Sequence, residues 1–457
     1  MGQTLVEKII SQNVGHPVKA GDTVVVNVDF AALHDGSGPL LVRLMKERGY
    51  DKEPVFNAKH MLFANEFGPE STREVANEHA LCRQYAHEHG CFWEEGGTGH
   101  VHAHVYESYL KCGTVCIIGD SHTTVHGAFG CFATGCGSTD MVAVTRFGQT
   151  WIKVPETFLI NVHGKLPKGV YAKDIMLKVA SIIKSDQAIY KSLEFRGDTI
   201  SSLSMDGRLT ITSMGVDVGA KNAIMETDEH TREFLKAYGR EEDYVEVKAD
   251  GDGNYERVID INAEELEPLV SKPHYVENVD LAKNCKDEHV DLIYIGSCTN
   301  GSLEDMRIAA EIMKGKKVPE DLRVIVVPAT NKVFKDAIAA GYIKTFIEAG
   351  CVISHPCCGL CCGMPYGLMY DDERILSTAN RNFIGRQGTK KTLSYLSSPA
   401  VAAATALTGV VTDPRHVMIK DFEQLKEMLK NKPVKRTVAV VAAHDEHTLE
   451  AVSRAAK

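Results

Sequence analysis

The sequence lacks the features that would place the protein in a membrane or on a nucleic acid. No apolar stretch reaches the roughly 18 residues that a transmembrane helix needs. The first residues, MGQTLVEKII, predict an amphipathic helix rather than a signal peptide. Basic residues are not in excess, because the formal net charge is -10 and the isoelectric point is about 6.0. We therefore expect a cytoplasmic protein with neither a membrane nor a nucleic-acid partner.

Short apolar runs alternate with helical segments along the 457 residues. Buried strands are predicted in TVVVNVDF from Thr23, TVCIIGD ending at Asp120, VDLIYI from Val290, VIVVPAT from Val324 and CVISHP from Cys351. A helix is predicted to begin near Leu303, with two acidic residues in its first turn. This alternation predicts an α/β fold of parallel sheets flanked by helices, with strand ends that share one edge.

Segments that contain proline and glycine predict the domain boundaries. The Pro- and Gly-containing segment around residues 153–169 predicts one boundary. We expect domains over residues 1–155, 156–285 and 286–414, and then a tail over residues 415–457 with one strand and one helix. No tandem repeat interrupts this organisation.

Thirteen cysteines in a protein expected in a reducing compartment predict metal or redox chemistry rather than a disulfide framework. Cys358 and Cys361 form a C-x-x-C pair in a loop, and Cys298 follows a separate buried strand. Three thiolates from neighbouring loops could hold zinc with an open site or an iron-sulfur cluster with one iron lacking a protein ligand. No second C-x-x-C completes a zinc site nearby, so the pattern favours a 4Fe-4S cluster that acts as a Lewis acid. Buried inert thiols are the alternative.

Four separated motifs resemble the signatures of the aconitase superfamily. They are GDSHTTVHGAFGCFATGCGSTD at 119–140, GSCTNGSLED at 296–305, PCCGLCCG at 356–363 and STANRNFIGRQG at 377–388. The opening MGQTLVEKII and VDFAALHDGSGP at 28–39 resemble 3-isopropylmalate dehydratase large subunits and their homoaconitate and 2,3-dimethylmalate relatives. The resemblance covers about residues 1–414. It implies a three-domain core without the swivelling fourth domain, and one 4Fe-4S cluster on Cys298, Cys358 and Cys361.

The cluster loop departs from the family pattern at three positions. Cys357 and Cys362 stand where relatives usually carry glycine and an aliphatic residue, and Leu360 stands where proline is usual. We interpret the two extra thiols as non-ligands, although a neighbouring thiol can alter the oxidation sensitivity of a cluster.

The resemblance also implies a set of polar site residues. Catalytic roles are expected for His60, His102, Asp120, His122 and Asp217, with Asp120 as the partner of His102 and Asp217 as the residue that orients His122. Lys59 replaces the aspartate that relatives place before the histidine matched to His60, and Ser213 replaces an asparagine. His100 and His104 alternate with His102 on a predicted strand and are expected to be structural or surface residues.

Substrate contacts are expected from His34, Ser121, Asn380, Arg381 and Arg386. The two arginines suit a substrate with two carboxylates, because guanidinium groups bind carboxylates bidentately. Asn300 and Asn380 are expected to donate hydrogen bonds to cluster sulfurs or to substrate.

Family members place the catalytic serine in a Ser-Arg motif on the swivelling domain, which isopropylmalate-type enzymes carry as a separate small subunit. Ser453-Arg454 lies in the wrong context for that motif, so the resemblance implies a small-subunit partner.

The default function is 3-isopropylmalate isomerisation, as in leucine biosynthesis. A hydro-lyase that acts on 2,3-dimethylmalate or on the citraconate/2-methylmalate pair is the runner-up, favoured by the unusual Lys59, Ser213 and Asp217. An RNA-binding regulator in the apo form and a cluster-based electron carrier are the alternatives from other classes.

Overall fold

The computed structural model describes residues 2–363 and 366–418. The strand and the helix predicted in the tail, including Ser453 and Arg454, lie outside the described residues. Residues 2–155 contain seven strands: β1 (Thr23–Asn27), β2 (Phe30–His34), β3 (Met61–Ala64), β4 (Phe92–Glu94), β5 (Val115–Ile118), β6 (Phe132–Gly135) and β7 (Gln149–Lys153). Five of them form a parallel sheet in the order β4-β3-β2-β5-β6, and β1 pairs with β7 in an antiparallel ribbon.

Both faces of the first sheet are buried, as expected for a parallel sheet. Ala31 and Leu33 of β2 pack into one hydrophobic cluster, whereas Phe30 and Ala32 pack into another. The helices of this region are α1 (Leu5–Val14), α2 (Gly38–Glu47), α3 (Arg73–His89), α4 (Val101–Ser108) and α5 (Ser138–Phe147), and a 3₁₀ segment spans Ser121–Phe129.

A second parallel sheet has four strands: β8 (Thr157–His163), β9 (Ser192–Arg196), β10 (Asn222–Met225) and β11 (Arg257–Asn262). Their spatial order is β10-β9-β8-β11. The helices of this region are α6 (Ala172–Ile183), α7 (Asp198–Ser202), α8 (Met205–Ser213) and α9 (Glu229–Ala237).

The third sheet is mixed and has seven strands: β12 (Leu269–Ser271), β13 (Val279–Leu281), β14 (Leu292–Ile295), β15 (Arg323–Val326), β16 (Val352–Ile353), β17 (Arg374–Ser377) and β18 (Leu393–Ser397). The order is β13-β12-β18-β17-β14-β15-β16, and only the pairs that include β12 are antiparallel. The helices are α10 (Ser297–Asn300), α11 (Leu303–Met313), α12 (Asn331–Ala339), α13 (Tyr342–Ala349) and α14 (Pro399–Ala406).

Local sequence signals explain where several helices begin. The Thr4 hydroxyl accepts a hydrogen bond from the Glu7 amide while the Glu7 carboxylate accepts one from the Thr4 amide, which makes a capping box for the predicted amphipathic helix α1. Ser302 and Asp305 form the same device at α11, so the prediction of a helix from Leu303 is confirmed.

Two local predictions are wrong. The run from Thr23 is not one buried strand: the chain breaks at Val28 and Asp29, and its first half is the ribbon strand β1, where Val25 is 58% exposed. His100, His102 and His104 do not share a strand face, because His100 caps α4 and the other two belong to that helix.

The predicted fold class is confirmed by the three α/β layers. Strands β12 and β13 belong to the third sheet although they precede residue 285, and the domain boundaries stay predictions. Within the described ranges, the model has no helix with both the length and the apolar character needed to cross a bilayer.

A close contact between layers gives a test of this architecture. A Cβ atom on Gly127, in the 3₁₀ segment, would overlap the carbonyl oxygen of Ala223 in β10. We expect Gly127→Ala to lower the free energy of unfolding by about 1–3 kcal/mol, because backbone on both sides resists movement. Gly251→Ala is the control, since its Cβ would meet nothing within 4 Å, and a change within about 0.5 kcal/mol is expected. Equal denaturant midpoints for the two variants would contradict this packing.

Candidate active site

The carboxyl ends of strands from two sheets surround one cavity of about 200 Å³. His34 ends β2, Asp120 follows β5, Cys298 follows β14 and Arg381 follows β17. Parallel strands expose their exits at the same edge, which is where α/β proteins build sites. The lining residues are His34, Glu66, Phe67, His100, His102, Asp120, Ser121, His122, Cys298, Cys358, Cys361, Cys362, Arg381 and Arg386. A larger cavity of about 360 Å³ shares Asp120 and Ser121 with it.

Three cysteine sulfurs converge on this cavity from two strand exits. Cys298 lies in the short helix α10, and Cys358 and Cys361 lie in the loop after β16. The Cys358 thiol donates a hydrogen bond to Cys361, which lowers the pKa of Cys361 against the effect of burial, and Arg386 and His122 lower it further. Burial raises the pKa of Cys298.

Polar donors face these sulfurs. The Arg386 Nη2 atom lies 3.9 Å from Cys361 Sγ, and the Asn380 Nδ2 atom lies 3.8 Å from Cys298 Sγ. Ser213 Oγ is also 3.8 Å from Cys298 Sγ. Hydrogen bonds to thiolate and sulfide sulfur are a common means by which proteins tune iron-sulfur clusters. The donor set therefore fits a cluster held by three thiolates.

The two extra thiols differ in position. Cys357 is buried beside Tyr366, with its Sγ atom 3.1 Å from the tyrosine hydroxyl, and it does not line the cavity. Cys362 lines the cavity next to the proposed ligands.

Asp120 joins two histidines at the cavity wall. Its Oδ1 atom lies 2.7 Å from His102 Nε2 and accepts a hydrogen bond from the His122 amide at 2.7 Å. Burial alone would raise the pKa of Asp120, but these histidines hold it well below its usual range. Burial lowers the pKa of His102, so an anionic carboxylate faces a neutral imidazole at neutral pH.

Asp217 joins His122 to Arg381. Its Oδ1 atom lies 3.4 Å from His122 Nε2 and accepts a hydrogen bond from Arg381 Nε at 2.7 Å. Burial opposes the charged imidazole, but Asp217 raises the pKa of His122 to about 9. This buried carboxylate therefore keeps His122 positively charged and fixes one arginine at the site.

A histidine-carboxylate cluster forms the opposite wall. The Glu66 Oε1 atom lies 3.2 Å from His34 Nδ1, and the other oxygen accepts a hydrogen bond from the Val101 amide at 2.9 Å. Asp35 Oδ1 lies 3.6 Å from the same His34 nitrogen. Burial opposes protonation of His34, but Glu66, Asp35 and Asp120 together raise its pKa to about 10.

Sequence reasoning missed Glu66 and placed His60 in the site instead. His60 is exposed and directly precedes β3, with its Nδ1 atom 2.8 Å from the Asp29 carbonyl oxygen. Glu66 follows the other end of β3, a strand of four residues that is about 13 Å long at 3.3 Å per residue. The sequence did carry a signal for Glu66, because Asn65 and Glu66 are polar residues that directly follow the apolar strand β3, just as Asp120 follows β5.

One further expectation needs correction. Asn300 does not line the cavity: its amide donates hydrogen bonds to Thr210 Oγ1 at 3.2 Å and to Asp305 at 3.0 Å. His100 and His104 are both buried, as the structural alternative expects, and His100 also lines the cavity while its side chain caps α4.

Comparison with known proteins identifies the family. The model of the aconitase family (aconitate hydratase) matches residues 7–288 and 274–409. The "3-isopropylmalate dehydratase large subunit 1" of Thermotoga maritima is 47% identical over 91% of this chain and 99% of its own length. The "3-isopropylmalate dehydratase large subunit" of Elusimicrobium minutum is 44% identical over 92% and 100%. A solved structure of Thermococcus kodakaraensis aconitase X shares 13% identity at a TM-score of 0.48, over 83% of this chain and 90% of its own. Because the family model covers most of the chain and the two large-subunit relatives are more than 40% identical over about nine tenths of it, the chain belongs to the aconitase family.

Proposed function

We propose that this chain is the large subunit of a 4Fe-4S hydro-lyase that isomerises a small branched hydroxy-dicarboxylate, with 3-isopropylmalate as the default substrate. One observation carries the proposal: three cysteine sulfurs, two arginines and two histidine-carboxylate groups line a single cavity. The names of the Thermotoga and Elusimicrobium relatives support the substrate.

Cys298, Cys358 and Cys361 would hold the cluster. When bound, it supplies a Lewis-acidic iron that polarises the substrate hydroxyl. Arg386 and Asn380, which already face two of these sulfurs, would donate hydrogen bonds to the cluster side of the site.

The cations of the cavity bind and orient the substrate carboxylates. Arg381 is held through its Nε atom by Asp217, so its two terminal amino groups are left to bind a carboxylate. Arg386 and the charged His122 line the same cavity. Preorganised positive charge of this kind stabilises the negative charge that develops when a proton leaves carbon.

His34 is the residue placed to protonate the departing hydroxyl. Its Nδ1 atom accepts a hydrogen bond from the Gly36 amide at 3.1 Å, so the proton that His34 can transfer is the one on Nε2, which lies 3.7 Å from Asp120 Oδ2. The base that removes the carbon-bound proton would come from a separate small subunit, the partner implied by the "large subunit" names.

Co-expression tests the function directly. The chain is produced anaerobically together with a small subunit of the same enzyme family, and 3-isopropylmalate, 2,3-dimethylmalate and 2-methylmalate are assayed for absorbance of the unsaturated product. We expect turnover of 3-isopropylmalate that requires both chains. Turnover of 2,3-dimethylmalate or 2-methylmalate without turnover of 3-isopropylmalate would move the assignment to the runner-up substrate. No turnover of any of the three by a cluster-loaded complex would contradict the proposal.

Substitution of single thiols tests the ligand set. Cys358→Ser is expected to abolish cluster retention and hydration activity, whereas Cys362→Ser keeps most of both, because only the first thiol is a ligand. Iron and sulfide content and activity of the purified complexes measure the effect. Equal losses in the two variants would show that the ligand assignment is wrong.

A matched pair of histidine variants tests the corrected site. His34→Gln is expected to lower kcat by roughly 10²- to 10⁴-fold, the contribution of a positioned general acid. His60→Gln is expected to stay within about twofold, since His60 is exposed and lies at the other end of its strand. Steady-state kinetics of the two variants measure the effect. A loss of activity confined to His60→Gln would restore the assignment of His60 as a catalytic residue.

A further inference from the structure

Lys173 is a fully buried lysine beside the candidate site that the proposed chemistry does not use. It is the second residue of α6, and its side chain is 0% exposed. A cation at this position opposes the helix macrodipole, and burial of an ammonium group is costly unless partners offset it. Some interaction must therefore keep a charged group there.

The partners of Lys173 are two consecutive backbone carbonyls. Its Nζ atom donates hydrogen bonds to the carbonyl oxygens of Thr378 at 2.9 Å and Ala379 at 2.8 Å. Among the described residues, no carboxylate forms an ion pair with this ammonium. Burial lowers the pKa of Lys173 to about 8, and the nearby charges that oppose this are, in order of size, Asp217, Cys361, Asp305 and Cys298.

The two carbonyls directly precede residues of the candidate site. Asn380 faces Cys298 Sγ, and Arg381 binds Asp217. Thr378 also ties this segment to the Cys298 loop, because its hydroxyl donates to the Gly296 carbonyl at 3.1 Å and accepts from the Gly296 amide at 2.9 Å. One ammonium thus holds the segment that carries a sulfur-facing amide and a carboxylate-binding arginine.

We propose that Lys173 is a positioning residue that fixes residues 378–381 and places an internal positive charge directly behind the segment whose Asn380 faces Cys298. The role of Lys173 toward the cluster and substrate rests on the proposed function. Its role in fixing residues 378–381 does not, because that role depends only on the two hydrogen bonds to the carbonyls of Thr378 and Ala379. In the loaded protein, a fixed positive charge at this position favours the more reduced state of the cluster.

Hydrogen-deuterium exchange of the full, cluster-free chain tests the positioning role. In Lys173→Met we expect faster exchange at residues 378–382 and unchanged exchange in strand Leu292–Ile295. Lys178→Met, on the exposed side of the same helix, is the matched control and should leave both regions unchanged. Lys173→Gln keeps a donor without charge and guards against a folding defect of the methionine variant. Unchanged exchange at residues 378–382, or uniform acceleration across the chain in both Lys173 variants, would overturn the proposal.

The reconstituted complex tests the charge. Lys173→Met and Lys173→Gln are both expected to shift the cluster midpoint potential to more negative values and to release iron about 10- to 100-fold faster than Lys178→Met. A higher KM with a smaller change in kcat is expected from the displaced Arg381. A potential equal to that of Lys178→Met would overturn the charge role. If the wild-type chain takes up no iron, the proposed function fails, and the exchange experiment still decides the hold on the segment.

Discussion

The site depends on the convergence of strand exits from two different sheets. Cys298 leaves the third sheet after β14, and Asp120 leaves the first sheet after β5, yet both line one cavity. A shift of either layer would separate the cysteine sulfurs from the acid-base groups. Contacts that join these two layers, such as the hydrogen bond from the Cys358 amide to the Glu66 carbonyl oxygen at 3.3 Å, therefore serve the site as well as the stability of the fold.

Buried carboxylates around the cavity each lie next to a histidine or an arginine. Asp217 sits between His122 and Arg381, Asp120 lies between His102 and His122, and Glu66 lies against His34. Each carboxylate would be costly alone in a dry site, and each imidazole would lose its proton or its orientation without its partner. The result is a preorganised set of charged groups around the cavity.

Sequence reasoning reached the parts of the site that short motifs encode. Cys298, Cys358, Cys361, His102, Asp120, His122, Arg381 and Arg386 all line the cavity. It failed where the answer depends on which end of a strand a residue occupies: His60 and Glu66 flank β3, and only the sheet register shows that the second faces the site. It also failed at Asn300, whose amide is taken by Thr210 and Asp305, and at the alternating histidines, where helix α4 replaced a predicted strand. Tertiary partners of this kind leave no local signal.

We infer that three protein sulfurs each bind one iron of a 4Fe-4S cluster and leave the fourth iron for the substrate. Mössbauer spectroscopy of the chain reconstituted anaerobically with ⁵⁷Fe, before and after addition of 3-isopropylmalate with the small subunit present, tests it most directly. The account predicts that substrate changes the signal of one iron in four and leaves the others nearly unaltered. A spectrum in which all irons keep thiolate coordination and ignore the substrate, or a protein that takes up no iron, would contradict it.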